Sequence, residues 1–405
     1  MSQAARAAEA AARAAYGKLL ARLVARTRDI AAAEDALADA FAAALANWPV
    51  RGVPDSPEAW LLTAARRANA NAARHARVQR AWGPEWLRRA TAPVDAEDGY
   101  PDPRLKLLFA CAHPAIDPAV RTPLMLQTVL GLDAARIAAA FAISPTAMGQ
   151  RLSRAKARIR DAGLRYTVPD PAEMPARLAE VLDAVYAAFG SAKDDPNDGG
   201  TQALAEEAIW LGRLLVALLP DAPEAKGLLA LMLHVEARRA ARQDAEGRFV
   251  PLAAQDPTRW RRDLIIEAEG LLVAGAQAGR FGRFLCEAAI QSVHAQRGIT
   301  GRTNHAALLT LYGLLLAHGA GMGAAVARAA VLLEAGDLPA ARAGLAAVPE
   351  PARARYQPWW VASARVHRAA GEMAEAGAAL EMALALTEAP AVAAFLRDWA
   401  ASLEN

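Results

Sequence analysis

The stretch DAARIAAAFAISPTAMGQRLSRAKARIRD, residues 133–161, decides how this chain is read. An Ala-rich segment meets an Ile-Ser-Pro break, after which Met148, Leu152, Ala155 and Ile159 recur at intervals of four, three and four residues. That spacing lays the four along one stripe of an α-helix. Ser144 supplies an N-cap and Pro145 a first helical residue, so the pattern predicts helix, tight turn, helix. Opposite the stripe stand Thr146, Gln150, Ser153, Arg154 and Ala157. Arg151 and Arg158 lie on one flank, Lys156 and Arg160 on the other. Short polar side chains and Arg so arranged suit base edges in a major groove, and the flanking cations suit its phosphate walls. An ordinary solvated helix is the alternative. The density of basic residues, opposed only by Asp161, favours DNA.

Upstream, helical spacing continues. Residues 1–15 form an Ala/Arg/Glu lead-in, and Tyr16, Leu19, Leu20 and Leu23 then share a helix face. A second helix runs from about Ile30 to Trp48, with Ile30, Leu37, Phe41, Leu45 and Trp48 predicted to face inward and Glu34, Asp35 and Asp39 outward. Asp35 and Asp39 are neighbours on the helix surface. They read either as a docking surface for a partner's cations or as a plain solvated face. PVRGVPDSP breaks the pattern, and Ser56-Pro57 opens a third helix with Trp60, Leu61 and Ala64 inward. That helix then carries Arg66, Arg67, Arg74, Arg77 and Arg80, with Asn69, Asn71 and His75 between them and Trp82 and Trp86 beyond. Cations beside amides and aromatics suit a partly opened duplex; a basic solvated face is the alternative.

Residues 90–103, ATAPVDAEDGYPDP, hold three prolines and four acids, a composition that reads as a linker. A second boundary is predicted near YTVPDPAEMP, at 165–175. Beyond it, Ala/Leu helices continue to the C-terminus. GDLPAARAGL from Gly336 and GEMAEAGAAL from Gly371 echo each other at an offset of 35 residues, close to the roughly 34-residue tetratricopeptide period.

Composition agrees with an all-α chain. Of its 405 residues 54% are hydrophobic and 6% aromatic, and Ala and Leu outweigh β-branched runs. The net charge of +3 is small, so any nucleic-acid binding rests on the local basic clusters at 66–89 and 151–165. Two cysteines allow no disulfide framework, and no signal-peptide core or membrane-length apolar run is present, so a cytoplasmic protein is expected. The apolar run Leu228–Val235 reads as a packed helix. Enzyme signals are poor. Cys111 and His113 lack further ligands at metal spacing, so a buried Cys and a locally bonded His are expected. GSAKDDPNDGG, 190–200, reads as a solvated loop, and His234, His294, His305 and His318 are scattered. No catalytic residue, metal or cofactor is expected.

Together these stretches resemble the sigma-70 superfamily, and more narrowly extracytoplasmic-function (ECF) RNA polymerase sigma factors with a tetratricopeptide-like helical extension. Tyr16–Arg77, with LLARLVARTRDIAAAEDALADAFAAALANWP and GVPDSPEAWLLTAARR, is similar to region 2. LKLLFACAHPAIDPAVRTPLMLQTVLGLDAARIAAAF followed by MGQRLSRAKARIR is similar to region 4. VPDPAEMPARLAEVLDAVYAAF, ALLPDAPEAKGLLALMLHVEARRAAR and DPTRWRRDLIIEAEGLL resemble parts of the extension. The resemblance implies a region 2 bundle at 1–89, an acidic linker at 90–103, a region 4 helix-turn-helix at 104–165 and the extension at 166–405. It implies docking of Asp35 and Asp39 on the β′ clamp helices of core RNA polymerase, with region 4 at the β flap. Promoter DNA would be held by Arg66, Arg67, Asn71, Arg74 and Arg77 at the −10 element. Thr146, Gln150, Arg151, Ser153, Arg154, Lys156 and Arg158 would hold it at the −35 element. The extension would regulate or support this activity, with a signal protein as a possible partner. An autonomous helix-turn-helix regulator with a helical sensor domain, and a degenerate sigma-like scaffold, are the competing readings.

Overall fold

The computed structural model describes residues 3–79, 103–141, 143–164, 166, 172–191 and 199–403. Among these the chain is helical throughout, with a single isolated bridge, Gln243 to Phe249, and no strand. It forms two units, Met1–Ala208 and Ile209–Asn405. The linker read at 90–103 lies outside the described residues, apart from Pro103.

Unit 1 opens with α1 (Gln3–Thr27), α2 (Ile30–Arg51) and α3 (Pro57–Gln79). Asp29 starts α2 by accepting the Ala32 amide at 3.1 Å; Gly52, at φ 83°, ends it by donating to the Trp48 carbonyl at 3.0 Å. The three helices bury Leu19, Leu20, Leu23, Ile30, Leu37, Trp48, Leu61 and Ala65 between them. Leu45 does not join this core: it is 51% exposed, and Ala33, Ala36, Ala40 and Ala44 complete the buried stripe of α2 instead. Small side chains let the neighbouring helices close on that face, and the larger Leu45 falls just outside the stripe. Of the inward set expected on α3, Leu61 is buried while Trp60 and Ala64 are half-buried, and Ala65 takes the inner position. Trp60 meets Trp48 edge to face, ring centres 5.6 Å apart.

The chain continues with α4 (Pro103–Cys111), α5 (Pro118–Leu130), α6 (Ala134–Ala140), α7 (Pro145–Asp161) and α8 (Met174–Ser191). α8, the first helix of the expected extension, packs on α4 and α5. Arg177 donates to the Phe109 carbonyl at 3.1 Å, and Arg121 pairs with Glu180 at 3.1 Å. The division between units therefore falls within α9 (Gly199–Leu218), well after residue 165. Against α1, α5 comes so close at Gly17 that a Cβ there would lie 1.9 Å from the Val129 carbonyl oxygen.

In unit 2, α10 (Pro223–Ala237) is apolar all round over its middle turns and buries Leu228 through Leu233, as the sequence predicts for a packed helix. It lies against α11 (Arg262–Ala276) and α12 (Arg283–Thr300). The N-cap of α12 is Gly282, which has no side chain, and Glu224 of α10 accepts the amides of Phe284 at 2.8 Å and Leu285 at 3.3 Å. There follow α13 (His305–Ala317), α14 (Met322–Glu334), α15 (Leu338–Ala346), α16 (Glu350–Arg353), α17 (Gln357–Ala369), α18 (Met373–Ala385) and α19 (Pro390–Ala401). The two echoing segments begin at equivalent turns: Gly336 (φ 88°) joins α14 to α15 and Gly371 (φ 78°) joins α17 to α18. No described helix is long and apolar enough to cross a membrane.

Substituting Ala for Gly inside a helix normally adds up to about 1 kcal/mol of stability. At Gly17 the clash with Val129 reverses the sign, so Gly17→Ala is expected to lower the urea midpoint of unit 1. A raised midpoint would mean that α1 and α5 do not approach this closely in solution.

Candidate nucleic-acid interface

The start and end of each helix in the α5–α7 stretch are set locally. α5 stops at Gly131, which is left-handed (φ 69°) and donates to the Gln127 carbonyl at 3.0 Å. Asp133 then accepts the Arg136 amide at 2.8 Å and so starts α6. Ser144, extended at ψ 147°, accepts the Ala147 amide at 3.2 Å, with Pro145 as the first residue of α7. Met148, Leu152, Ala155 and Ile159 are all buried, and α7 packs on α5 and α6. A fully buried large apolar side chain contributes about 2 kcal/mol, more than a surface ion pair. Burial, and not charge, therefore holds α7 down and leaves its polar face to other uses.

On that face Thr146, Gln150, Arg151, Ser153, Arg154 and Arg158 are exposed. The Arg154 Nε donates to the Gln150 carbonyl at 3.3 Å, which lays its guanidinium along the helix. The other flank is engaged. Lys156 is not at the surface: its ammonium hydrogen-bonds to the Glu34 carboxylate of α2, and the two side chains are only 11% and 19% exposed. Arg160 points the same way, 4.0 Å from Asp29 and 3.0 Å from Asp161. The flank that the sequence assigned to a phosphate wall thus meets acids of α2 in this conformation.

Burial pushes the Glu34 carboxyl above its ordinary value, and Lys156 opposes that shift. Its second oxygen is buried without a hydrogen-bond partner. Tyr16 is beside it, with a phenol also raised by burial. Asp35 and Asp39, one turn apart, are exposed and form no ion pair among the described residues. Arg66 and Arg67 are exposed on α3. The side chains of Asn71, Arg74 and Arg77, farther along α3, lie outside the described residues, as do residues 192–198 of the loop read at 190–200. Cys111 is buried 3.6 Å from the Thr128 hydroxyl, and His113 accepts the Ala115 amide at 3.1 Å, so both are occupied locally.

The structure also assembles a group that sequence reading missed. His234 on α10 and His294 on α12 both lie near Arg238, which donates to the Gln291 side chain. His234 is 1% exposed and neither ring nitrogen has a hydrogen-bond partner; Glu269 stands 3.5 Å from its Nε2 without forming one. Burial, reinforced by Arg238, pushes His234 down to about 3 and His294 down to about 4. The only trace in the sequence is the spacing of four between His234 and Arg238 and of three between Gln291 and His294.

Two outcomes follow from these geometries. Glu34→Ala strands a largely buried ammonium and is expected to cost about 3 kcal/mol in urea unfolding. Glu34→Gln, which keeps an acceptor for Lys156, costs less. A loss near zero for Glu34→Ala would mark the pair as an ordinary surface contact. For His234 and His294 the folded value lies below the unfolded one. Their stabilising contribution is complete above about pH 6.5 and is lost as the pH falls toward 4 and 3. Stability should drop by on the order of 1 kcal/mol per pH unit for His234 below pH 6. His234→Leu should flatten that slope; an unchanged slope would contradict the burial of its neutral ring.

Residues 177–276 match the model of a family of unknown function, DUF6596; the match takes in most of α8, all of α9 to α11 and the loop 239–261 between α10 and α11. An uncharacterized protein of Rhizobium meliloti (strain 1021) is 38% identical over 279 residues, a match that covers 66% of this chain and 66% of that protein. The chain thus spans slightly under two thirds of this relative's length. No solved structure matches it.

Proposed function

We propose that this chain is a sigma factor of the extracytoplasmic-function type, which lends promoter recognition to core RNA polymerase. The observation that carries the reading is α7. Four apolar residues fasten it to its own domain, while Gln150, Ser153, Arg154 and Arg158 stay exposed on the face a major groove would meet. A solvated structural helix also begins at a cap and presents a polar face; what favours DNA is the density of basic residues on α7, opposed only by Asp161.

In this reading α1 to α3 form region 2. Asp35 and Asp39 dock on the β′ clamp helices, while the basic side of α3, with Arg66 and Arg67, holds the −10 element. Residues 104–165 form region 4, which meets the β flap and reads the −35 element through α7. The C-terminal helices form a tetratricopeptide-like extension. Its support is the pair of helix hairpins α14/α15 and α17/α18, offset by 35 residues with a left-handed Gly at each turn. The extension regulates or supports activity and could receive a signal protein. The phosphodiester chemistry belongs to the polymerase, and the chain works in the cytoplasm. The pairing of Lys156 with Glu34 belongs to a resting form: promoter phosphate and the Glu34 carboxylate compete for one ammonium.

Co-purification with core RNA polymerase at low, fixed ionic strength tests this reading, followed by transcription in vitro on a promoter panel. Asp35→Ala with Asp39→Ala should reduce capture. Gln150→Ala with Arg154→Ala should spare capture and impair −35 recognition; good bidentate base contacts are worth about 1–3 kcal/mol each. Absence of capture by the intact chain would refute the proposal. Tight operator binding without polymerase would instead identify an autonomous regulator.

A further inference from the structure

Arg238 sits in unit 2 at the end of α10 and is only 8% exposed. One arm of its guanidinium donates to Gln291; the other nitrogen, Nη1, is buried with no acceptor. No carboxylate pairs with it among the described residues. Its charged neighbours are instead Arg242 and Arg297, whose repulsion adds to burial and lowers its affinity for a proton to about 10. Arg297 lies over the Trp260 ring, 5.4 Å from its centre, and donates to the carbonyls of Leu252 at 2.9 Å and Gln255 at 3.0 Å. Around the guanidinium stand His234, with both nitrogens unpartnered, and His294. The acids around these residues have other partners: Glu236 pairs with Arg239, Glu269 is beside His234, and Glu334, close enough to influence His294, is shared with His305 and Arg365.

A buried guanidinium without a counter-charge is costly, and a buried donor without an acceptor adds to that cost. Native interiors rarely leave a buried polar group without a partner, and an orphaned charged donor points to a bound ion. The missing partner must carry negative charge, because the buried guanidinium has no carboxylate beside it among the described residues and the charged groups that act on it are arginines. It must be compact, because burial leaves little room. It must offer oxygen lone pairs to an N–H fork, which is the geometry of a carboxylate or phosphate group. A water molecule would satisfy the donor and leave the charge unbalanced.

We infer that Arg238, with Arg297, His234 and His294 around it, forms a binding site for a small oxyanion, a carboxylate or a phosphate group, received by the Nη1 of Arg238. The site lies at the meeting of α10, α12 and the loop 239–261. Arg297 of α12 holds that loop at Leu252 and Gln255, and within the loop Arg259 donates to the Gln243 carbonyl at 2.8 Å. A ligand there would tie the loop to both helices, making the C-terminal unit a receiver for a metabolite. The inference is independent of promoter recognition.

Thermal unfolding of the full chain tests it, at fixed ionic strength in chloride, with inorganic phosphate, glycerol phosphate or succinate titrated in. At least one of the three should raise the midpoint saturably. Arg238→Lys, which keeps the charge and loses the fork, should weaken the apparent affinity by about tenfold or more. The exposed pair Arg151→Ala with Arg158→Ala should leave the response intact, separating this site from the basic face of α7. His294→Gln, at a partly exposed position, should weaken binding by about threefold or more and serves should Arg238→Lys fail to fold. No saturable shift with any of the three, or an equal response in Arg238→Lys or His294→Gln, overturns the site.

Discussion

Unit 1 depends on the approach of α1 to α5 at Gly17. With the Val129 carbonyl where a Cβ would stand, the two helices are nearly in backbone contact. That contact fixes the level of everything α5 carries, including the turn into α6 and the seat of α7. A second constraint lies one residue away. Tyr16 packs on Gly131, the left-handed residue that ends α5, where a Cβ would come within 2.9 Å of the tyrosine ring. One short segment of α1 therefore sets both the spacing and the end of α5.

Given that scaffold, α7 meets α2 through its Lys156 flank. The energetics of the two attachments differ in kind. The apolar stripe is fastened by burial, which salt and competing ions barely disturb. The Lys156–Glu34 contact is an ion pair withdrawn from water, in which desolvation consumes much of the Coulombic gain. Such a contact is sensitive to any competing anion, whereas the stripe is not. The helix can therefore keep its seat on α5 and α6 while exchanging the partner on its flank.

The sequence carried the parts of this structure that depend on local periodicity. The α7 stripe and the Ser144 cap are set by residues three or four apart, the buried run of α10 by consecutive apolar residues, and each is present as read. Errors arise where the identity of the buried face depends on a neighbouring helix. Leu45 is larger than Ala44, yet Ala44 is buried because α2 is approached on its alanine side. Lys156 has the chemistry of a phosphate contact, and only the fold reveals that Glu34, 122 residues earlier, reaches it. His234 and His294 are 60 positions apart and say nothing of each other until α10 and α12 cross. α8 reads as the start of an extension because YTVPDPAEMP breaks the chain, but a break in helical pattern does not mark the edge of a packed core.

The carboxylate of Glu224 has a bearing on how the C-terminal half can be dissected. It closes the start of α12 from a different helix, so the first amides of α12 have no closure of their own. A fragment beginning after residue 224 would expose those amides to solvent and fray the helix that carries Gln291, His294 and Arg297. Limited proteolysis would then bite near Gly282 in such a fragment and spare the same bond in the intact chain, so subcloning of this region has to begin ahead of Pro223.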